Sequence, residues 1–287
     1  MFKFVKNNAI LICVLIALLA VAGCGGGAEP KANTSAGANA GAGAQASAPS
    51  EQPAEHVELT VSAAASMTDA LEEIKTAYEA ANPNVGLTFN FGASGALQQQ
   101  IEEGAPADLF LSAAVKNMKA LVDGGFIDAE GQKTLLANEL VAVVSASGNA
   151  AVAGMEDLTN EEVKKVAIGI PESVPAGSYA KEALEGAALW ETLRPKLVQA
   201  KDVRQVLQYV ETGNVDVGFV YKTDAMTSDK VKVAYPVDPA AYTPIEYPAG
   251  IVKATKHPEE AERFYAYLQT EPAHDVFVKY GFTPAVD

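Results

Sequence analysis

The part of this sequence that must fold has no thiol: among 287 residues the only cysteines are Cys13 and Cys24, both in or beside an N-terminal apolar run. Disulfide scaffolds and cysteine nucleophiles are thereby excluded from it. Histidine is nearly as scarce. His56, His257 and His274 are the three present, and their scatter leaves no cluster with the spacing of a metal site. Basic residues are short as well, 21 Lys and Arg against 36 Asp and Glu, for a formal charge of −15. Loss of Lys3 and Lys6 with a cleaved leader makes the remainder two units more negative. Such a surface repels nucleic acid and anionic headgroups at long range, so any anion it binds is held by short-range donors. Gly-rich loops of P-loop or dinucleotide type are missing too.

What is present begins with Lys3 and Lys6, an apolar run from Ala9 to Ala22, and Gly23-Cys24. That order reads as a secretory signal over residues 1–23, too short and too rich in small residues at its end for a comfortable membrane span. Val21-Ala22-Gly23-Cys24 resembles the lipobox of bacterial lipoproteins, which makes Cys24 the expected lipidated first residue. An uncleaved anchor helix is the alternative. Residues 24–56 are mainly Ala, Gly, Ser, Asn, Gln and Pro, with almost nothing large and apolar to bury, and read as a flexible tether. Residues 57–287 are long enough for two lobes of ordinary domain size.

From Glu58 short apolar strands alternate with amphipathic helices, the pattern of an α/β fold. Leu59–Ala63 reads as a strand; Ala70, Leu71, Ile74, Ala77, Tyr78 and Ala81 fall on one helical face that stops before Asn82-Pro83. Val85–Phe89 is a second strand, Leu97 and Ile101 mark a second helix, and Asp108–Leu111 is a third strand. A longer apolar strand follows at Glu139–Val144. The second series has strands at Val166–Ile170, Val215–Val220 and Ile245–Val252. Its helices run through Lys181–Gly186 and through Val203, Val206, Leu207 and Val210. The last helix shows Ala261, Phe264, Tyr265 and Leu268, with Pro258 in its first turn. Two such series without a linker predict two lobes that share crossing strands: 57–142 with 245–287, and 143–244, with a cleft between them.

Several segments place small or polar residues where a strand hands over to a helix, which is where ligands lie in such folds. Ser66 opens the first helix, Ser94 the second, Ala176 precedes the helix with Lys181, and Val203 follows Asp202 at the start of the next. A helix N-terminus offers unpaired N–H groups and the positive end of the macrodipole, so it holds an anion without a cationic side chain. Taken singly, Ser66, Ser94 and Asp202 each read as helix caps before ligand contacts. Tyr221 follows the strand Val217–Val220, where its phenol either donates one hydrogen bond into the cleft or is an ordinary half-buried tyrosine. Asp108 reads as a turn or capping residue, because a carboxylate near the cleft would repel an anion. Catalysis fits poorly. A secreted serine hydrolase using Ser94 is the competing reading, but Gly95 directly follows the serine where G-x-S-x-G needs a spacer, and no histidine lies in a partner segment.

Taken together, Ala63–Thr68, Phe91–Gly95, Gly104–Ala113, Val174–Leu184, Asp202–Arg204, Gly218–Tyr221 and Tyr280–Phe282 resemble the periplasmic molybdate-binding proteins, substrate-binding components of molybdate ABC transporters. The resemblance spans nearly all of 58–284. It implies a two-lobed type II periplasmic-binding-protein fold, each lobe a mixed, mainly parallel sheet flanked by helices. It further implies a monomeric binding protein, not an enzyme, that needs no cofactor and holds molybdate or tungstate between its lobes. The implied contacts are hydroxyls and amides at Ser66 and Ser94, amides at Ala176 and Val203, and the hydroxyl of Tyr221, with molybdenum bound only as the oxyanion through these residues. Another tetrahedral oxyanion such as sulfate is the alternative guest. Implied partners are an ABC permease and its ATPase, with the protein outside the cytoplasm and anchored to the membrane through Cys24. Gly92-Ala93 and Gly95-Ala96 depart from relatives richer in hydroxyl residues there, which argues against an additional hydroxyl contact beside Ser94.

Overall fold

The computed structural model of the protein describes residues 56–148 and 151–285. The leader, Cys24 and the tether as far as residue 55 lie outside the described residues. Strand β1 (Val57–Ala64) shows how the chain moves from surface to centre. Its first half is only partly covered, with Glu58 exposed and Leu59 buried, whereas its second half is buried throughout, as a strand must be when helices cover both faces of its sheet. It pairs in parallel with β2 (Val85–Gly92) and β3 (Leu109–Leu111). Helix α1 (Thr68–Ala81) makes the first crossover and buries Ala70, Leu71, Ile74 and Tyr78. Ala77 and Ala81, expected on that stripe, face solvent, so the apolar face is narrower than the run of small residues suggests. Asn82 ends the helix by donating from Nδ2 to the Tyr78 carbonyl at 2.9 Å. Helices α2 (Ser94–Glu102) and α3 (Val115–Asp123) flank β3 in sequence.

The long β4 (Ile127–Asn138) and β5 (Leu140–Ser145) are separated by Glu139 alone, yet they belong to different sheets. The second series continues with β6 (Val166–Gly169), α4 (Pro175–Gly186), the one-turn α5 (Trp190–Leu193), β7 (Leu197–Ala200) and α6 (Val203–Glu211). Then come β8 (Val217–Tyr221), α7 (Lys222–Met226) and β9 (Val231–Pro236). The chain returns through β10 (Ile245–Val252) and closes with α8 (Pro258–Tyr267), α9 (Glu271–Lys279) and β11 (Thr283–Pro284). The first sheet has the order β11-β4-β10-β3-β1-β2 and the second β7-β6-β8-β5-β9. Both are mixed. Their parallel parts are the strands joined through helices, and the antiparallel pairings involve β4, β5, β9, β10 and β11.

The structure differs from the sequence expectations at several places, and it adds α3, α5, α7, β7 and β9, which the sequence pattern does not mark. Leu140–Val144 pairs with Tyr221–Val217, so all of β5 belongs to the second sheet and the first crossing is at Glu139 rather than after 142. A continuous apolar run carries no mark of the point where a chain leaves one sheet for another. Helix α9 and strand β11 follow the helix expected to be last, because α9 buries only Ala273 and Phe277, too thin a stripe to stand out. Strand β4 was also illegible: it is half exposed and carries Asp128, Glu130 and Lys133, unlike a core strand. Leu109 and Leu111 face one apolar core that continues into the second lobe, while Phe110 points into a smaller one with Leu97, Ile101, Met118, Leu121 and Ile127, as the pleat of a strand requires.

Candidate functional site

The carboxyl ends of three strands and the starts of three helices meet where the lobes touch. Strand β1 runs into a single 3-10 turn, Ala65–Met67, in which Ser66 is buried. Beyond β2, Ala93 caps α2 and Ser94 is its first helical residue, fully buried. From the second lobe, Val174 caps α4 with Pro175 and Ala176 in its first turn, Val203 opens α6, and Tyr221 ends β8. Proline at the first position suits α4, since its missing N–H would have had no helical partner. The structure brings all five expected residues together: Ser66, Ser94, Ala176, Val203 and Tyr221 line one cavity, with Ala64, Ala65, Gly92, Ala93, Ala113, Val174 and Pro175 completing it. The space open to the centre of a water-sized sphere is about 10 Å³, room for a very small guest and far below the cavities that take drug-sized ligands.

The capping alternative separates the candidates. Neither serine makes a side-chain cap hydrogen bond. The Ala113 N–H donates to Ser94 Oγ at 2.9 Å, and Ser66 Oγ lies 2.9 Å from the Tyr247 hydroxyl. Asp202, in contrast, is a true cap: its Oδ1 accepts from the Gln205 N–H at 2.8 Å. Asp108 also has a purely structural post, accepting from the Thr60 N–H at 2.7 Å and from the Thr255 hydroxyl, which pins β1 to the segment after β10. Tyr221 is fully buried, and its hydroxyl makes no hydrogen bond of good geometry among the described residues, the Tyr247 hydroxyl being the polar group beside it. Burial drives its pKa well above 10, with the neighbouring Tyr247 adding to the shift, so the group is a neutral donor.

No Lys, Arg, His, Asp or Glu is among the described residues that line the cavity. Ser94 therefore has no base beside it, and the positive potential comes from the helix starts. The nearest cation in sequence, Arg204, is not among the lining residues, although its Nη2 reaches the Ser66 carbonyl behind the cavity at 3.5 Å. Its Nη2 donates to Asp69 Oδ2, its Nη1 to Thr227 Oγ1 at 3.1 Å, and its Nε lies 2.9 Å from Asp224 Oδ1, in an ion pair not aligned as a hydrogen bond. Asp224 is fully buried, and its pKa is pushed up to about 6 by loss of solvent, with Arg204 opposing the rise.

Sequence reasoning missed four residues that matter here. Tyr247 looks like one more apolar position in β10, and Asn138 and Thr223 carry no local signal. Gly95 is the fourth. Its N–H donates to the Ser173 carbonyl of the opposite lobe at 3.0 Å, and a Cβ on it would stand 2.7 Å from that oxygen and 2.9 Å from Ser173 Cα. Tyr179 donates from its hydroxyl to the Ala113 carbonyl at 3.3 Å and Lys116 Nζ to Ser178 Oγ at 3.0 Å, both also across the lobes.

Comparison with known proteins places the fold and the family. The sequence matches the family described as bacterial extracellular solute-binding protein over residues 59–283. It is 48% identical over 278 residues, 97% of this chain and 98% of the other, to YvgL of Bacillus subtilis, provisionally named an ABC transporter substrate-binding lipoprotein. It is 39% identical over 235 residues, 80% of this chain and 91% of the other, to the molybdate-binding protein ModA of Haemophilus influenzae. The solved periplasmic molybdate-binding protein of Azotobacter vinelandii superposes with a TM-score of 0.73 at 24% identity, over 79% of this chain and all of the other, which shows the shared type II fold. With a family match across nearly the whole two-lobed region, this chain belongs to the bacterial extracellular solute-binding proteins.

Proposed function

We propose that the protein captures molybdate, and tungstate equally well, in the cavity between its lobes and delivers it to an ABC permease driven by its ATPase. The observation that carries this reading is a small buried cavity with no charged side chain among its described lining residues, walled by helix starts from both lobes and by a Tyr221 hydroxyl that makes no well-aligned hydrogen bond to the described residues. A buried donor left unpaired costs about 1–3 kcal/mol, which a bound acceptor recovers. Ser66 and Ser94 supply hydroxyls and amides, Ala176 and Val203 supply amides, and Tyr221 supplies its phenol. These neutral donors strengthen as closure of the lobes removes water. A dianion without hydrogens satisfies them all. Hydrogen phosphate has the same shape and charge but brings an O–H for which the wall offers no acceptor.

Names of relatives support the same reading: ModA of Haemophilus influenzae is a molybdate-binding protein, and YvgL a lipoprotein by name. In this proposal the protein works outside the cytoplasm as a monomer, tethered through a lipid on Cys24. Calorimetry of the purified protein with molybdate, tungstate, sulfate and phosphate tests this. Heat with the first two, weak heat with sulfate and none with phosphate is the expected pattern; silence with molybdate sinks the proposal, and tightest binding of sulfate reassigns the guest.

A further inference from the structure

Ser66 is useful to an anion only if its hydroxyl hydrogen points into the cavity, and the residues behind it settle that direction. The Glu139 N–H donates to Asn138 Oδ1 at 2.8 Å. This fixes the amide of Asn138, whose other end must be the NH2 group, a donor and nothing else. That group donates to Thr223 Oγ1 at 2.9 Å and to the Tyr247 hydroxyl at 3.2 Å. The Tyr247 oxygen is thus an acceptor towards Asn138. Its hydrogen has one partner in hydrogen-bond geometry, Ser66 Oγ at 2.9 Å; the Tyr221 hydroxyl is also close, but it makes no aligned bond. Were it to accept from Ser66 as well, a fully buried phenol hydrogen would be stranded, at the cost of an unmade hydrogen bond. Donation to Ser66 Oγ leaves the Ser66 hydrogen free for the cavity that Ser66 lines. Ser94 reaches the same state by a shorter route, because the Ala113 N–H occupies its oxygen.

We infer that Asn138 and Tyr247 are positioning residues for specificity: the chain Asn138→Tyr247→Ser66 locks the Ser66 hydroxyl as a donor and so rejects anions that carry a hydrogen. The inference rests on the oxyanion-capture reading above and gives that site its selectivity. Its components come from distant parts of the chain. Asn138 is the last residue of β4 before the crossing, Tyr247 lies near the start of the returning β10, and Thr223 belongs to α7 of the second lobe. The polarity of a hydroxyl in the first lobe is therefore set at the hinge.

Asn138→Asp reverses the chain. A carboxylate still accepts from the Glu139 N–H, but it now also accepts the Tyr247 hydrogen, so Tyr247 accepts from Ser66 and the serine turns lone pairs to the cavity. Tyr247→Phe cuts the chain without reversing it or adding charge. The probes are molybdate, sulfate and phosphate at mildly alkaline pH, where phosphate is mainly a dianion bearing one hydrogen. The added carboxylate repels all three dianions alike, so ratios of affinity isolate the effect of hydrogen polarity. In Asn138→Asp the ratio of phosphate to molybdate affinity should rise about tenfold or more, the worth of one buried hydrogen bond made or unmade. In Tyr247→Phe it should rise a few-fold, and in both the sulfate to molybdate ratio should stay put. Melting curves identify a variant that fails to fold; Tyr247→Phe then carries the test alone. A wild-type protein that ignores molybdate refutes the capture reading itself. Wild-type binding with an unchanged phosphate to molybdate ratio in the folded variants overturns the relay and leaves capture standing.

Discussion

Two polar regions lie side by side where the lobes meet, and they are built on opposite principles. The cavity is lined by neutral groups alone; the cluster beside it contains Arg204, Asp69 and Asp224, a cation shared between two carboxylates. They are interleaved in sequence, since Arg204 follows Val203, Asp69 lies three residues after Ser66, and Asp224 lies three after Tyr221. A helix start directs its N–H groups along its axis and its side chains outward, so the same turn can give amides to a guest and keep its charge elsewhere. The lesson is that an acidic protein makes room for an anion by pairing off the charges nearest to it, without recruiting a cation to the site.

Breaking the charged region should have the largest effect. Arg204→Met leaves Asp224 buried without a counter-charge, and removal of one partner from a buried pair costs about 3–5 kcal/mol; because the Arg204 side chain keeps 25% of its exposure, the lower end is expected. Urea unfolding measures it, and Asn at 224 in the double variant should restore most of the loss. The sign with pH is set by the raised pKa. Asp224 binds its proton more tightly folded than unfolded, so its contribution to stability is full below the ordinary carboxylate value of 3.8 and is lost as pH rises through about 6. In Arg204→Met that window should move upward, since the group opposing the rise is gone.

Next in size is the seam between the lobes. Gly95→Ala puts a methyl group against the Ser173 backbone, and overpacking of this kind costs about 1–3 kcal/mol. Calorimetry should show molybdate binding weakened by up to that amount, because Gly95 and Ser173 meet across the two lobes that wall the cavity. The cavity itself gives a smaller effect of mixed sign: Tyr221→Phe should weaken molybdate binding by about 1 kcal/mol, one neutral hydrogen bond. The ligand-free protein should melt no lower than wild type, since the lost hydroxyl made no well-aligned hydrogen bond to the described residues. A fall in melting temperature without loss of affinity would mean that the phenol serves the fold instead. Smallest of all, Asp69→Asn removes a partly exposed ion pair worth about 1 kcal/mol or less, and its effect should fade as salt is added.

Much of the site was readable before any coordinates because its rule is local. Small and hydroxyl residues at Ser66, Ser94 and Ala176 sit where an apolar strand gives way to a helical stripe, and a chain that does this must expose its first amides there. The same local rule could not tell a cap from a cavity residue. Asp202 and Ser94 have the same kind of neighbourhood, yet Asp202 satisfies its own helix while the Ser94 oxygen is taken by Ala113, 19 positions away. The crossing at Glu139 was invisible for a related reason: leaving one sheet for another changes the partners of a strand and not its hydrophobicity.

The sequence by itself determined the alternation of strands and helices, the excess of negative charge and the absence of thiols, because each depends on composition or on neighbours within a few residues. Tertiary structure decided which donors line the cavity and which groups stand behind them. Tyr247 reaches Ser66 across 181 positions, and Asn138 reaches Tyr247 across 109. A hydroxyl is donor or acceptor only according to what stands on its other side, and that neighbour is brought there by the folded chain.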